Sequence, residues 1–160
     1  MTIKIGDAIP SVTLKVMGDG GPEDITTETL LKGKKVALFG LPGAFTPTCS
    51  KHHLPGFVGN SEALKGKNVD AIVCLAVNDV FVMDAWGRDQ KVGDTVAMVA
   101  DGDAEFTRAT GLDLDLAGKG LGLRCQRFSM IVDDGVVRSL DIDPPGEFSV
   151  TSCEYMLEKL

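Results

Sequence analysis

Three short apolar runs frame what this chain can become: VALF at 36–39, AIVCLAV at 71–77 and VAMV at 96–99. None alternates apolar with polar residues, so each suits a strand covered on both faces. Helical stretches separate them, and strands alternating with helices build a sheet with helices packed against it. A helix is predicted from about Thr46 to Lys65, with a kink at Pro55, whose ring crowds the carbonyl of Lys51. Asn78-Asp79 caps a second helix that carries Phe81, Val82, Ala85 and Trp86 near one face.

The flanks complete the pattern. Ser11 to Val16 alternates and reads as an outer strand, followed by a Gly-Asp-Gly-Gly turn. A short helix is expected from Asp103 to Thr110, ended by Gly111. Phe128–Val132 and Val136–Leu140 flank Asp133-Asp134-Gly135, a strong hairpin signal, and a last helix covers Thr151 to Leu160. The expectation is one α/β domain over residues 1–160: a mixed central sheet flanked by helices, without internal repeat or domain boundary.

Charge and cysteine usage narrow the function. Acidic residues outnumber basic ones 23 to 16, for a formal charge of −7, which argues against nucleic-acid or anionic-membrane partners. The start, MTIKIGDAIP, lacks the apolar centre of a signal peptide, and no run approaches a transmembrane span. The expected compartment is therefore cytoplasmic, where disulfides are transient rather than structural. Cys49, Cys74, Cys125 and Cys153 are scattered and form no C-x-x-C pair, which excludes a zinc ribbon and a thioredoxin-type dithiol.

The segment PGAFTPTCSKHHLPGF, from Pro42 to Phe57, singles out one of these thiols. With Thr46 as N-cap, Pro47 falls at N1, where its missing N–H is harmless, and Cys49 at N3. The unpaired N–H groups of a first helical turn favour negative charge, so a thiolate is stabilised there and becomes nucleophilic. The competing reading is an inert buried cysteine, and position alone leaves both open.

The segment resembles the active-site stretch of the type II (fifth-class) peroxiredoxins, which reduce hydroperoxides with a cysteine thiol. VCLAVNDVFVMDAWG, RFSMIVDDGVV and the short terminal helix resemble later segments of that subfamily, in the same order, so the resemblance covers nearly the whole chain. It implies a thioredoxin-like fold with an N-terminal β extension, and a thiol-dependent peroxidase acting on hydrogen peroxide and alkyl hydroperoxides. It further implies that Cys49 is peroxidatic, that Thr46 orients the peroxide, that Pro42 shields the sulfur, and that Arg127 supplies positive charge. Arg124, three residues earlier, is a weaker candidate for that cation. A guanidinium stays charged at any working pH and stabilises both the thiolate and the charge leaving on oxygen.

The Cys49 sulfenic acid must be resolved by a second thiol. Cys74 has the spacing of plant and bacterial type II members, against the reading of a small hydrophobe in a buried strand. Cys153 is offset from the animal-type position, and Cys125 matches no family position. Glutathione with glutaredoxin, or thioredoxin, is the expected reductant, and no bound cofactor or metal is implied. His52 and His53 point to different helix faces, and the histidine of HLPG is structural in the family. Gly118, Gly120 and Gly122 miss a dinucleotide fingerprint, and Asp113 and Asp115 read as solvated loop charges. The family also implies a homodimer contacting through Phe81, Val82, Trp86 and the loop from Phe45 to Thr48; the alternative for Trp86 is the domain's own core. A peroxide sensor or redox relay using the same cysteine is the rival function.

Overall fold

The computed structural model describes residues 1–160 and carries the predicted alternation. Strands β1 (Thr13–Gly18), β2 (Gly21–Thr26), β3 (Lys35–Gly40), β4 (Ala71–Ala76), β5 (Ala97–Ala100), β8 (Arg127–Asp133) and β9 (Val136–Asp143) form one seven-stranded sheet, in the order β2-β1-β5-β4-β3-β8-β9. The three predicted apolar runs are its centre. β3–β4 and β4–β5 are parallel, whereas β1–β5, β3–β8 and β8–β9 are antiparallel, so the sheet is mixed. Parallel neighbours need long crossovers. Helices α2 (Leu54–Gly59) and α3 (Ser61–Gly66) supply the first, and α4 (Val80–Asp89) the second.

Both sheet faces are buried, which is why the central strands read as unbroken apolar runs. One face packs Phe39, Leu41, Cys74 and Ile131 against Leu54, Phe57, Leu64, Met83, Trp86 and Met156. The other packs Leu38, Val73, Leu75 and Val99 against Phe106, Leu112 and Phe128. Asp79 caps α4 by accepting from the Val82 N–H at 2.8 Å, and Asp134 and Gly135 take left-handed φ values of 48° and 81° in the β8–β9 turn, as a two-residue hairpin requires. α5 (Glu105–Thr110) ends at Gly111, whose φ is 71°. α6 (Cys153–Lys159) closes the chain with Ser152 as its cap.

Three expectations change. The strand near Ser11–Val16 is second from the edge rather than outermost, because Gly21–Thr26 forms the edge strand, followed by helix α1 (Thr27–Leu31). β2 is mostly exposed, so it has no apolar run to announce it. Asp113 and Asp115 lie in a strand, β6 (Asp113–Leu116), paired with β7 (Gly122–Cys125) in a separate ribbon. They are exposed, as solvated charges should be, but on an element too short and polar to read from periodicity. The helix expected from Thr46 to Lys65 is broken at Asn60, between α2 and α3, and opens with a π turn, Cys49–His53.

Candidate active site

The π turn follows from Pro55. A proline ring collides with the carbonyl four residues earlier, here that of Lys51, and widening the preceding turn relieves the collision. The Leu54 N–H accordingly bonds the Cys49 carbonyl, five residues back, instead of Ser50. The irregularity thus precedes Pro55 instead of bending the helix at it. Helical structure starts at Pro47, and the Ser50 N–H makes the first helical bond, to the Thr46 carbonyl at 2.9 Å. The N–H groups of Thr48 and Cys49 therefore belong to the unpaired first turn.

Thr46 does not cap this helix with its side chain. Its hydroxyl donates to the Gly43 carbonyl at 2.7 Å, tightening the Pro42–Thr46 loop and leaving the oxygen lone pairs free to accept. The loop is held at two further points. The Ala44 N–H donates to Asn78 Oδ1 at 2.9 Å, and Arg124 Nη1 donates to the Pro42 carbonyl at 3.2 Å. The same Nη1 lies 2.7 Å from where a Cβ on Gly43 would sit, so only glycine allows this approach. Phe45 takes φ = 64°, a conformation costing a non-glycine residue about 1–2 kcal/mol. That strain is held in place by these contacts.

Arg127 opens β8, and the register Gly40↔Phe128 brings that strand end beside the β3 exit. Its guanidinium is buried rather than solvated, with Nη2 donating to Cys49 Sγ at 3.1 Å. Nη1 lies 2.9 Å from His53 Nδ1. A guanidinium can only donate, so Nδ1 accepts and the His53 proton sits on Nε2, which donates to the Thr151 carbonyl at 3.0 Å. Burial, reinforced by the adjacent Arg127 charge, lowers the His53 pKa from 6.5 to about 3, so the ring is neutral at neutral pH. Phe148 covers the guanidinium, 5.8 Å from its ring centroid. No carboxylate pairs with Arg127, since every ion pair of the chain involves other residues. The hydrogen-bond partners of Arg127 are thus the Cys49 sulfur and the neutral His53 ring.

Of the predicted site residues, Cys49 and Arg127 are in direct contact. Pro42 and Arg127 line a cavity of about 50 Å³ that Cys49 and Thr46 do not line. Arg124 grips the Pro42 carbonyl and the Leu121 carbonyl, not the sulfur. Cys49, Cys74, Cys125 and Cys153 are all unpaired and buried. Burial raises the Cys74 and Cys125 thiols far above the ordinary range and pushes Cys153 to about 12. Trp86 is fully buried, with Nε1 donating to Ser50 Oγ at 3.1 Å; it belongs to the domain's own core and drops out of the predicted contact surface. His53 was legible only as structural. Its spacing four residues after Cys49 was the signal that it shares the thiol's side of the helix.

Comparison with known proteins agrees with this geometry. The Redoxin family model matches residues 4–157. Peroxiredoxin-2D of Arabidopsis thaliana is 45% identical over 159 residues, covering 99% of this chain and 98% of that protein. The solved structure of reduced Prx3 from Vibrio vulnificus in complex with H2O2 superposes with a TM-score of 0.95 at 46% identity, covering 99% of each chain. Peroxiredoxin 5 from Alvinella pompejana gives 0.85 at 32% identity, again over 99% of each chain. With a helix-start cysteine against a buried, carboxylate-free guanidinium on a thioredoxin-like sheet, the chain belongs to the type II peroxiredoxins, the thiol-dependent peroxidases of the Redoxin family.

Proposed function

We propose that Cys49 is the peroxidatic thiol and that Arg127 serves both its thiolate and the transition state; the 3.1 Å contact between them carries this reading. The thiolate attacks the distal oxygen of a hydroperoxide, forming S–O as O–O breaks. Sulfur gives up the electron pair, the leaving oxygen departs as hydroxide or alkoxide and takes a proton, and Cys49 becomes a sulfenic acid. Arg127 Nη2 sits where charge leaves sulfur and builds on oxygen, in a site shielded from water. Thr46, with its own proton given to Gly43, orients the peroxide by accepting from its O–H, an acceptor rather than a donor role. Pro42 shields the sulfur from water. The Vibrio relative was solved with H2O2, which supports a small hydroperoxide as substrate.

The reductant follows from access. The small cavity beside Arg127 is not lined by Cys49, so it offers a resolving thiol no open route to the sulfur. Cys49 is fully buried at the start of the π turn, so that turn must open for any resolving thiol. Cys74 would have to move as well, since β4 is clamped between β3 and β5, with Cys74 opposite Phe39 and Met98. An external thiol needs only the helix opening, so glutathione with glutaredoxin, or thioredoxin, is the reductant. The exposed Phe45 and Phe81 form the homodimer contact together with Val82.

Steady-state turnover of hydrogen peroxide tests the core assignment. Cys49→Ser should abolish it and Cys125→Ser should leave it nearly intact; substantial turnover by Cys49→Ser would sink the assignment.

A further inference from the structure

Asp143 stands directly opposite Arg127 in the β8–β9 ladder. Cross-strand partners point to the same sheet face with Cβ atoms about 5 Å apart, close enough for an ordinary aspartate to reach an arginine. Here they do not pair. The carboxylate instead accepts five hydrogen bonds from the segment that follows: Ser149 N–H at 2.9 Å, Ser149 Oγ at 3.0 Å, Val150 N–H at 3.2 Å, Thr151 N–H at 3.1 Å and Thr151 Oγ1 at 2.7 Å. Burial pushes this carboxyl up, but the hydrogen bonds outweigh it and hold the pKa at about 2, so the group is fully ionised. Both Asp143 and Arg127 line the same small cavity.

We infer that the 149–151 segment withholds the Asp143 carboxylate from Arg127, which keeps the guanidinium charge for Cys49 and makes Asp143, Ser149 and Thr151 positioning residues of the peroxidatic site. The inference rests on the assignment of Cys49 above. Five donors more than occupy the roughly four lone-pair sites of one carboxylate, which removes the electrostatic drive to swing across the ladder. The same segment turns the Thr151 carbonyl onto His53 Nε2, so Arg127 receives a neutral acceptor at Nη1 where a carboxylate would otherwise sit. An anion there would neutralise the guanidinium and weaken its hold on the thiolate and on the leaving oxygen. Phe148, immediately before that segment, lies over the guanidinium and shields it from solvent.

A double-mutant cycle separates this from a purely structural latch. Ser149→Ala with Thr151→Val deletes two of the five donors while the backbone N–H donors remain. Oxidation of Cys49 by one equivalent of hydrogen peroxide is followed by mass spectrometry on quenched samples, with thermal unfolding recorded in parallel. The loosened protein should oxidise Cys49 about tenfold more slowly, because the freed carboxylate turns to Arg127. Adding Asp143→Asn to it should restore the rate to within about threefold of the unaltered chain, since an amide cannot neutralise a guanidinium. A structural latch predicts the opposite sign: Asp143→Asn would remove more of the same bonds and slow the reaction further, which would overturn the inference. So would an unchanged rate in the loosened protein. Where the triple change unfolds, Ser149→Ala with and without Asp143→Asn gives the same comparison at an exposed position. If the unaltered chain shows no oxidation at Cys49, the assignment of Cys49 itself fails, a distinct result.

Discussion

Removing the Arg127 guanidinium should slow peroxide attack far more than removing that of Arg124. Arg127 Nη2 lies 3.1 Å from Cys49 Sγ, which places the delocalised charge about 4 Å from sulfur. At an effective dielectric near 20, two unit charges at that distance interact by about 4 kcal/mol before desolvation is counted. A single hydrogen bond to a charged group contributes about 1.5–3 kcal/mol, a lower bound. Water entering the site of an alanine variant would recover part of the difference. A loss of about 2–3 kcal/mol is expected, which is about 30–150-fold in rate. Arg124 touches only carbonyl oxygens, so Arg124→Ala loosens the Pro42 loop and should slow the reaction about fivefold or less, one lost hydrogen bond's worth. Arg127→Lys keeps a charge but cannot bridge Sγ and His53, and should fall between the two. Trp86 provides the assay: it is the sole tryptophan, and its Nε1 bonds Ser50, the residue after Cys49, so its fluorescence reports on the reacting turn in stopped-flow mixing with peroxide. Equal rates for the two alanine variants, or Arg127→Ala within threefold of the unaltered chain, would refute the reasoning.

Cys74→Ser should retain most turnover with glutathione and glutaredoxin, and mass spectrometry after one equivalent of peroxide should show a glutathione adduct on Cys49; a dominant Cys49–Cys74 disulfide with activity lost in Cys74→Ser would show that β4 moves. His53 makes stability fall with acid: its pKa drops from 6.5 unfolded to about 3 folded, so only the unfolded chain takes up a proton between those values. That contribution is complete above about pH 6.5 and is lost as pH falls, by about 2 kcal/mol at pH 5. Urea unfolding at both pH values should show His53→Gln losing distinctly less; an equal loss would place the acid sensitivity elsewhere. Phe81→Glu puts a charge on a side chain 62% exposed in the single chain, and sedimentation should show a dimer at micromolar concentration converted to monomer. A monomer before substitution would reject the dimer.

The sequence by itself determined whatever depends on neighbours along the chain. Unbroken apolar runs at 36–39, 71–77 and 96–99 announce strands buried on both faces, because periodicity is local. Asp134-Gly135 announces a hairpin, because only residues tolerating positive φ fit it. Thr46-Pro47-Thr48-Cys49 announces a cysteine in a first helical turn, since capping chemistry spans four residues. Tertiary structure decided whatever depends on register between distant strands. Arg124 and Arg127 are three residues apart and equally basic, yet one ends in a ribbon gripping Pro42 and the other opens the strand that meets Gly40. No local rule separates them. Trp86 and Phe81 share an amphipathic helix, but only packing of α4 on the sheet sends the first inward and leaves the second exposed. The π turn needed Pro55 and the opening helix together, a steric conflict visible only once the helix is built. Asp143 shows the limit most plainly. Sixteen residues from Arg127 in sequence, it is brought opposite that arginine by the β8–β9 ladder and bound instead by the three residues 149–151. Which partner holds a charge is settled by geometry, because electrostatic energy depends on separation in space and not on separation along the chain.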